Sequence, residues 1–183
     1  MNYMLWMVVL LTGCAGSKPV SSGPDGVYAG VLPTKNNLVF YRTTVSRRGI
    51  PSGMADSRAR AWFQTAGRAL NAMEQKPIRY KTDLVYLATL PGRRFAADPA
   101  NDEVFIPALR FWVTVDNRGD STRVFTTNYE VLDKTRHYQP LEKQGYDAPP
   151  KQPWVSMWLA DVDAAVTEMI RSLTNRITQP APR

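Results

Sequence analysis

Cysteine and histidine are almost missing from this chain: its 183 residues include one of each. A single cysteine excludes an intramolecular disulfide. One cysteine and one histidine together exclude a zinc site of the Cys/His type, which needs about four such ligands, or three and a water. Triad chemistry would have to route through His137, in Thr135-Arg136-His137-Tyr138, and no Gly-x-Ser-x-Gly elbow supplies a nucleophile. The nearest imitation, Gly49-Ile50-Pro51-Ser52-Gly53, has the wrong spacing. No phosphate loop and no Gly-x-Gly-x-x-Gly occurs, so a nucleotide has no visible home. Neither a metal nor a cofactor is expected, and no internal repeat is present.

Paired carboxylates remain as candidates for glycosidase chemistry, which needs two acids about 5–9 Å apart. Asp98, Asp102 and Glu103 fall in one loop-like stretch, and Asp161 and Asp163 are two apart on a helical pattern, a spacing that does not place them face to face. Any acidic loop supplies such pairs, so they are read as solvated carboxylates and no catalytic residue is assigned. Arg118-Gly119-Asp120 spells an integrin-binding tripeptide, but a turn uses the same residue types.

What is present starts at the N-terminus. Tyr3 to Leu11 is apolar and uncharged. That is too short for a membrane-spanning helix, which needs roughly 20 apolar residues, and it is the length of a signal-peptide hydrophobic region, about 7–15 residues. It ends in Leu11-Thr12-Gly13-Cys14: an aliphatic residue, a small one, glycine, then the chain's one cysteine. This segment resembles the lipobox of bacterial lipoproteins, and the resemblance covers these 14 residues alone. It implies removal of residues 1–13 and lipidation of Cys14 on its thiol and new amino group. Several acyl chains give stable membrane anchoring where one is marginal. Ala15 stands where aspartate resembles an inner-membrane retention signal, which favours the outer membrane, with the domain facing the periplasm.

Residues 14–26 then read as the lipidated cysteine and a flexible linker rich in Gly, Ser and Pro. Fully extended, it spans about 40 Å at about 3.3 Å per residue. Residues 27–177 form one domain, and 178–183 a disordered tail. At 44% hydrophobic residues the chain can bury a real core.

Patterning predicts the order strand, helix, strand, strand, strand, helix. Leu38 to Val45 is β-branched and aromatic and reads as a strand. A loop through Arg47-Arg48-Gly49 leads to a helix capped at Asp56 or Ser57 and running to about Gln75. Its stripe is Ala59, Trp62, Phe63, Ala66, Ala69, Leu70 and Met73, and Pro77 stops it. Ile78 to Leu90 is a second strand, closed by Pro91-Gly92-Arg93-Arg94. Val104 to Asp116 is a third, with Phe105, Leu109, Phe111, Val113 and Val115 on one face. Its Pro107 cannot donate to a ladder and marks an edge or bulge. Gly119 suits the positive-φ position of a hairpin turn. Arg123 to Leu132 is the fourth strand, with Phe125, Tyr129 and Val131 facing one way. A polar loop spans His137 to Gln152. Trp154 to Ile177 is an amphipathic helix with its stripe on Val155, Trp158, Leu159, Val162, Ala165, Val166, Met169, Ile170, Leu173 and Ile177. The expected fold is α+β: a two-layer sandwich of about four largely antiparallel strands, with both helices on one face. The other face carries Arg79, Lys81, Arg110, Thr126 and Asn128, or binds a partner.

The formal net charge is +7, and residues 1–13 contribute none of it. Nucleic acid would be the cytosolic partner for such a surface, but export argues against it. In the envelope the same charge suits an acidic protein, an acidic glycan or anionic lipid. The expected docking surface is Arg47, Arg48, Arg93 and Arg94, in loops beside strand ends. The expected function is a lipid-anchored, non-enzymatic accessory subunit of an envelope complex for transport, secretion or conjugation. The alternatives are a module binding peptidoglycan, lipid or lipopolysaccharide and, third, a cell-wall hydrolase.

Overall fold

A computed structural model of the chain describes residues 26–75, 83–96, 103–146 and 153–179. Cys14, the leader and nearly all of the linker lie outside these residues, as do Pro77, Ile78–Lys81, Asp98 and Asp102.

The protein is an α+β sandwich in which two helices cover one face of an antiparallel sheet. Three strands form the spine: β6 (Leu84–Leu90), β9 (Leu109–Arg118) and β10 (Ser121–Leu132). Short strand β5 (Met73–Gln75) pairs with β6 at one edge. The opposite edge, along β10, is shared by β4 (Tyr41–Ser46) and β11 (Tyr138–Pro140). Six strands rather than four therefore make the main sheet. Two smaller sheets add to it: β1 (Gly26–Tyr28) with β2 (Leu32–Lys35) and β3 (Leu38–Val39), and the hairpin of β7 (Arg93–Ala96) with β8 (Glu103–Ile106).

Helix α2 (Pro153–Thr178) matches its pattern closely. Val155, Trp158, Leu159, Val162, Val166, Met169, Ile170, Leu173 and Ile177 are buried, and Ala165 is half-buried. They share one buried core with Phe111, Val113 and Val115 of β9 and Val124 and Tyr129 of β10. Tyr41 Oη donates to Asp163 Oδ1 at 2.7 Å, tying β4 to the helix.

Helix α1 (Ser52–Thr65) departs from its pattern at both ends. It begins at Ser52, after Pro51, rather than at Asp56 or Ser57. Proline's fixed φ and missing N–H suit a helix start. It ends ten residues short of Gln75, because a 3-10 turn (Ala66–Leu70) follows and Asn71 adopts a left-handed conformation, φ +46°. Ala59, Trp62 and Phe63 are buried as predicted, whereas Ala66 and Ala69 are exposed and Met73 lies in β5. Phe63 stacks on Tyr86 of β6 with ring centroids 3.5 Å apart.

The strand phases shift at two irregularities. Pro107 and Ala108 break the predicted third strand into β8 and β9, and the break turns Phe105 to solvent while Ile106 is buried. Between Thr127 and Glu130 the pairing of β10 with β9 slips, and Asn128 there has φ +54°. The extra residue flips the alternation, as a bulge does. Val124 and Thr126 before it and Tyr129 and Val131 after it all face the helices, while Phe125 faces the open side. Thr126, expected on the open face, is buried, its hydroxyl 2.5 Å from Tyr129 Oη. Gly119, at φ +51°, takes the predicted turn position between Arg118 and Ser121.

Candidate functional site

The four arginines expected to form one docking surface do not come together. Arg47 and Arg48 follow β4, whose end pairs with Ser121 beside the β9–β10 hairpin. Arg93 and Arg94 open β7, just after Leu90, which pairs with Leu109 at the opposite end of β9. Nine residues of β9 separate these levels, about 30 Å at about 3.3 Å each. Arg93 and Arg94 are strand residues, not loop residues.

Arg47 is also buried, with 3% of its surface exposed. Its guanidinium donates to the carbonyls of Ile50 and Gly119, and its backbone N–H to Asp120 O at 2.7 Å. It is a clamp that holds the start of α1 against the hairpin turn. Arg48 beside it is exposed. Arg93 is exposed and pairs with Asp161 on α2. Asp163, two residues on, is held by Tyr41, so the Asp161–Asp163 pair is divided between two unrelated contacts. His137 sits in an exposed turn with its Nδ1 3.0 Å from Thr135 Oγ1. Among the described residues, no group of three or more His, Cys, Asp or Glu side chains is placed to hold a metal, and no helix is long and apolar enough to cross a membrane.

Two other surfaces stand out. The first is the open face of the sheet. Antiparallel partners share a face, so the register builds two rows across four strands: Met73, Leu87, Trp112 and Thr127, and Val85, Thr114, Phe125 and Arg42. Leu87, Trp112, Val85 and Phe125 are half-buried, and Met73 is 61% exposed. Phe40 joins the patch, its ring 6.2 Å from that of Phe125. Arg110 lies farther along the same face, paired with Glu130 and stacked 3.8 Å over Tyr138. Arg110 and Asn128 were expected on this face. The apolar majority was not, because the bulge at Asn128 reverses the phase from which Phe125 was placed.

The second is a cleft of about 720 Å³ at the Leu109 end of the sheet. It lies between the β8–β9 junction, the turn after β10 and the first turn of α2. Phe105, Pro107, Val131, Leu132, Tyr146 and Trp154 supply its apolar walls. Tyr146 packs edge-on against Trp154 and Trp158, at 6.4 and 5.5 Å between centroids. Burial raises the Tyr146 phenol above its ordinary pKa. Gly92 closes the wall behind Phe105: a Cβ there would stand 2.9 Å from Ile106 O. On the polar side, Asp133 Oδ1 accepts from the backbone N–H groups of Thr135 and His137, each at 2.8 Å, and from the Thr135 hydroxyl. The His137 N–H, followed by the Thr135 hydroxyl, holds the Asp133 carboxyl below the usual carboxylate range. Around this cleft, Pro107 carried a sequence signal as a break in a strand, and Trp154, with Trp158 behind it, one as an i, i+4 pair on a helix. Tyr146 comes from a distant segment and carried none, and the alternation that put Phe105 on the face of Leu109 pointed it the wrong way.

No family model and no curated protein matches this chain. Solved structures that resemble it in shape include the following two. One is a DUF4468 family protein from Bacteroides ovatus, with a TM-score of 0.60 and 10% identity, covering 85% of this chain and 95% of that one. The other is a TBP-like protein from Parabacteroides distasonis, with a TM-score of 0.58 and 10% identity, covering 82% and 99%. At this identity the likeness is one of fold alone.

Proposed function

We propose that this protein is a lipid-anchored, non-enzymatic accessory subunit of a bacterial envelope complex, held at the outer membrane through Cys14. The observation that carries the reading is Leu11-Thr12-Gly13-Cys14 directly after an apolar, uncharged segment. The domain's part is to dock a protein component of that complex. The open sheet face supports this better than the arginine cluster does. It gathers half-buried Trp112, Phe125 and Leu87 and exposed Met73 on one surface with Arg42 and Arg123, and aromatic and arginine side chains are the types that dominate protein interfaces. The net charge of +7 matches an acidic partner, which it would also steer toward encounter. Tethering raises effective concentration, so a modest interface suffices.

The test has two parts. Cys14→Ser should abolish incorporation of a labelled fatty acid and release the protein from the membrane fraction; equal labelling of wild type and variant sinks the anchor. A photo-crosslinking amino acid at position 112 or 125, used in cells at native expression, should capture one defined protein, and one at Arg48 should not. Capture at Arg48 alone would move the docking surface to the hairpin end. Activity on cell-wall material would replace the reading with a hydrolase.

A further inference from the structure

We infer that the cleft between β8, the β10–β11 turn and the start of α2 binds a single acyl chain of an anionic amphiphile, with the head group at Lys134. The inference does not depend on lipidation of Cys14 or on the docking role of the sheet face.

The volume comes first. About 720 Å³ lies within the range of about 300–1,000 Å³ usual for small-molecule sites, which are mostly apolar with a few polar groups at one side. This cleft has that division. Phe105, Pro107, Val131, Leu132, Tyr146 and Trp154 form the walls, and Asp133, Lys134, Thr135 and Gln144 form the polar side.

The polar inventory then selects the class of occupant. A peptide brings one N–H and one C=O per residue and needs partners for those it buries. Here much of the polar side is engaged within its own turns. Asp133 Oδ1 is committed to three donors of its own turn. The Thr135 hydroxyl meets both Asp133 and His137, and the Gln144 side-chain amide donates to Pro140 O at 3.3 Å. Between the two walls, Leu132 N–H is bonded to Ala108 O at 2.9 Å, and Pro107 has no N–H to offer. An alkyl chain asks for none of these groups, and it gains from apolar walls.

Charge selects the head group. Lys134 is exposed at the rim and has no ion-pair partner among the described residues, whereas Asp133 beside it is folded back into the turn. Arg93, on the far side of Trp154, is already paired with Asp161. An anionic head at Lys134, in a chain of net charge +7, is the complementary choice.

The test uses the full chain carrying Cys14→Ser, so that no acyl group of its own competes. Trp154 is the reporter, because bromine on an acyl chain quenches a tryptophan it touches. Dibromostearate below its micelle concentration should quench in a saturable 1:1 manner, and unbrominated stearate should reverse the effect. Trp154→Phe should remove most of the quenching while calorimetry still shows binding. Shortening the chain from sixteen to twelve carbons should weaken binding by about tenfold or more, since each methylene adds its share of apolar burial. Lys134→Glu, an exposed substitution, should weaken binding by about fivefold or more and leave the circular dichroism spectrum unchanged. Leu132→Phe, which narrows the cleft, should weaken every chain length. Quenching only by vesicles of brominated phosphatidylglycerol, with none by the monomeric fatty acid, would overturn the cleft in favour of contact with a bilayer surface. Non-saturable quenching, or saturable quenching indifferent to both chain length and Lys134, would also overturn it, and would leave the cleft to an apolar segment of another protein.

Discussion

Arg47 and Arg48 are adjacent, alike in sequence and opposite in the structure, so exchanging them one at a time is a sharp test of the fold. Arg47 is 3% exposed. Its guanidinium supplies Ile50 O, at 2.9 Å, and Gly119 O, a partner 72 positions away in the chain. Arg47→Ala strands both carbonyls. A hydrogen bond from a charged donor contributes about 1.5–3 kcal/mol net, so two of them contribute about 3–6 kcal/mol. Burying the guanidinium subtracts from that: its Nε is buried and has no partner, and desolvating a cation costs several kcal/mol before its contacts repay it. Loss of the packed side-chain stem adds back a smaller amount. The net expectation is a destabilisation of about 2–3 kcal/mol. For a domain of this size that is about 4–12 °C in melting temperature, at about 2–4 °C per kcal/mol. Arg48→Ala should leave the melting temperature where it was. Thermal and urea unfolding of both variants decide the matter. An Arg47→Ala protein as stable as wild type would mean that the clamp contributes nothing, and equal losses in the two variants would mean that the loop is placed wrongly. A charge reversal at position 47 is accordingly a probe of folding and not of docking.

Two further outcomes follow from the core. Leu159→Ala and Ile170→Ala remove side chains from the buried face of α2, and each should cost about 2–5 kcal/mol, read as a fall in the urea midpoint; an unchanged midpoint in both would mean that the helix face is not packed on the sheet. The phenols of Tyr41, Tyr86 and Tyr129 are pushed well above the usual tyrosine value of 10.0, first by burial and then, for Tyr41, by its bond to Asp163, and for Tyr86, by the nearby Glu74. Their folded pKa exceeds the unfolded one, so their contribution is present in full below about pH 10 and declines above it, where the unfolded chain releases protons that the folded one holds. Tyrosinate absorbance should therefore show these three ionising together with alkaline unfolding, and early ionisation of all eight tyrosines before any loss of helix would refute it.

The fold was legible where one local period runs without interruption. In α2 the predicted stripe from Val155 to Ile177 is the buried face, because a 26-residue helix lying along a sheet repeats the same demand every three to four positions. In β9 the alternation from Leu109 to Val115 held for the same reason. The signal failed where a single residue resets the phase. Asn128 at φ +54° inserts one residue into β10, so a reading that began from Tyr129 and Val131 carried Phe125 to the wrong face. Pro107 was read as a point where pairing would fail, yet its consequence, a rotation of Phe105 outward relative to Leu109, needs the geometry of the break. Beyond Thr65, Ala66 and Ala69 continue the stripe of α1 arithmetically, but alanine is small enough to suit either a surface or a core, and the left-handed Asn71 ends the helical path before Met73.

The candidate sites were less legible, and the reason is distance along the chain. Charge can be counted from sequence, but whether a guanidinium meets solvent or a carbonyl depends on which loops are folded against it. Arg47 meets Gly119 because β4 pairs with β10 in the register that sets Ser46 opposite Ser121, and that register places the turn between Arg118 and Ser121 directly over the residue that leaves β4. Arg48, one step farther on, has passed the end of the sheet and faces water. The cleft obeys the same rule in reverse. Trp154 and Trp158 announce an aromatic ridge on α2, but the cavity exists only because the Pro107 break turns Phe105 away from the core and the turn after β10 folds back on Asp133. Each of these is a local event whose effect lies in another segment. A sequence read one segment at a time therefore finds the materials of the site and cannot see the space they enclose.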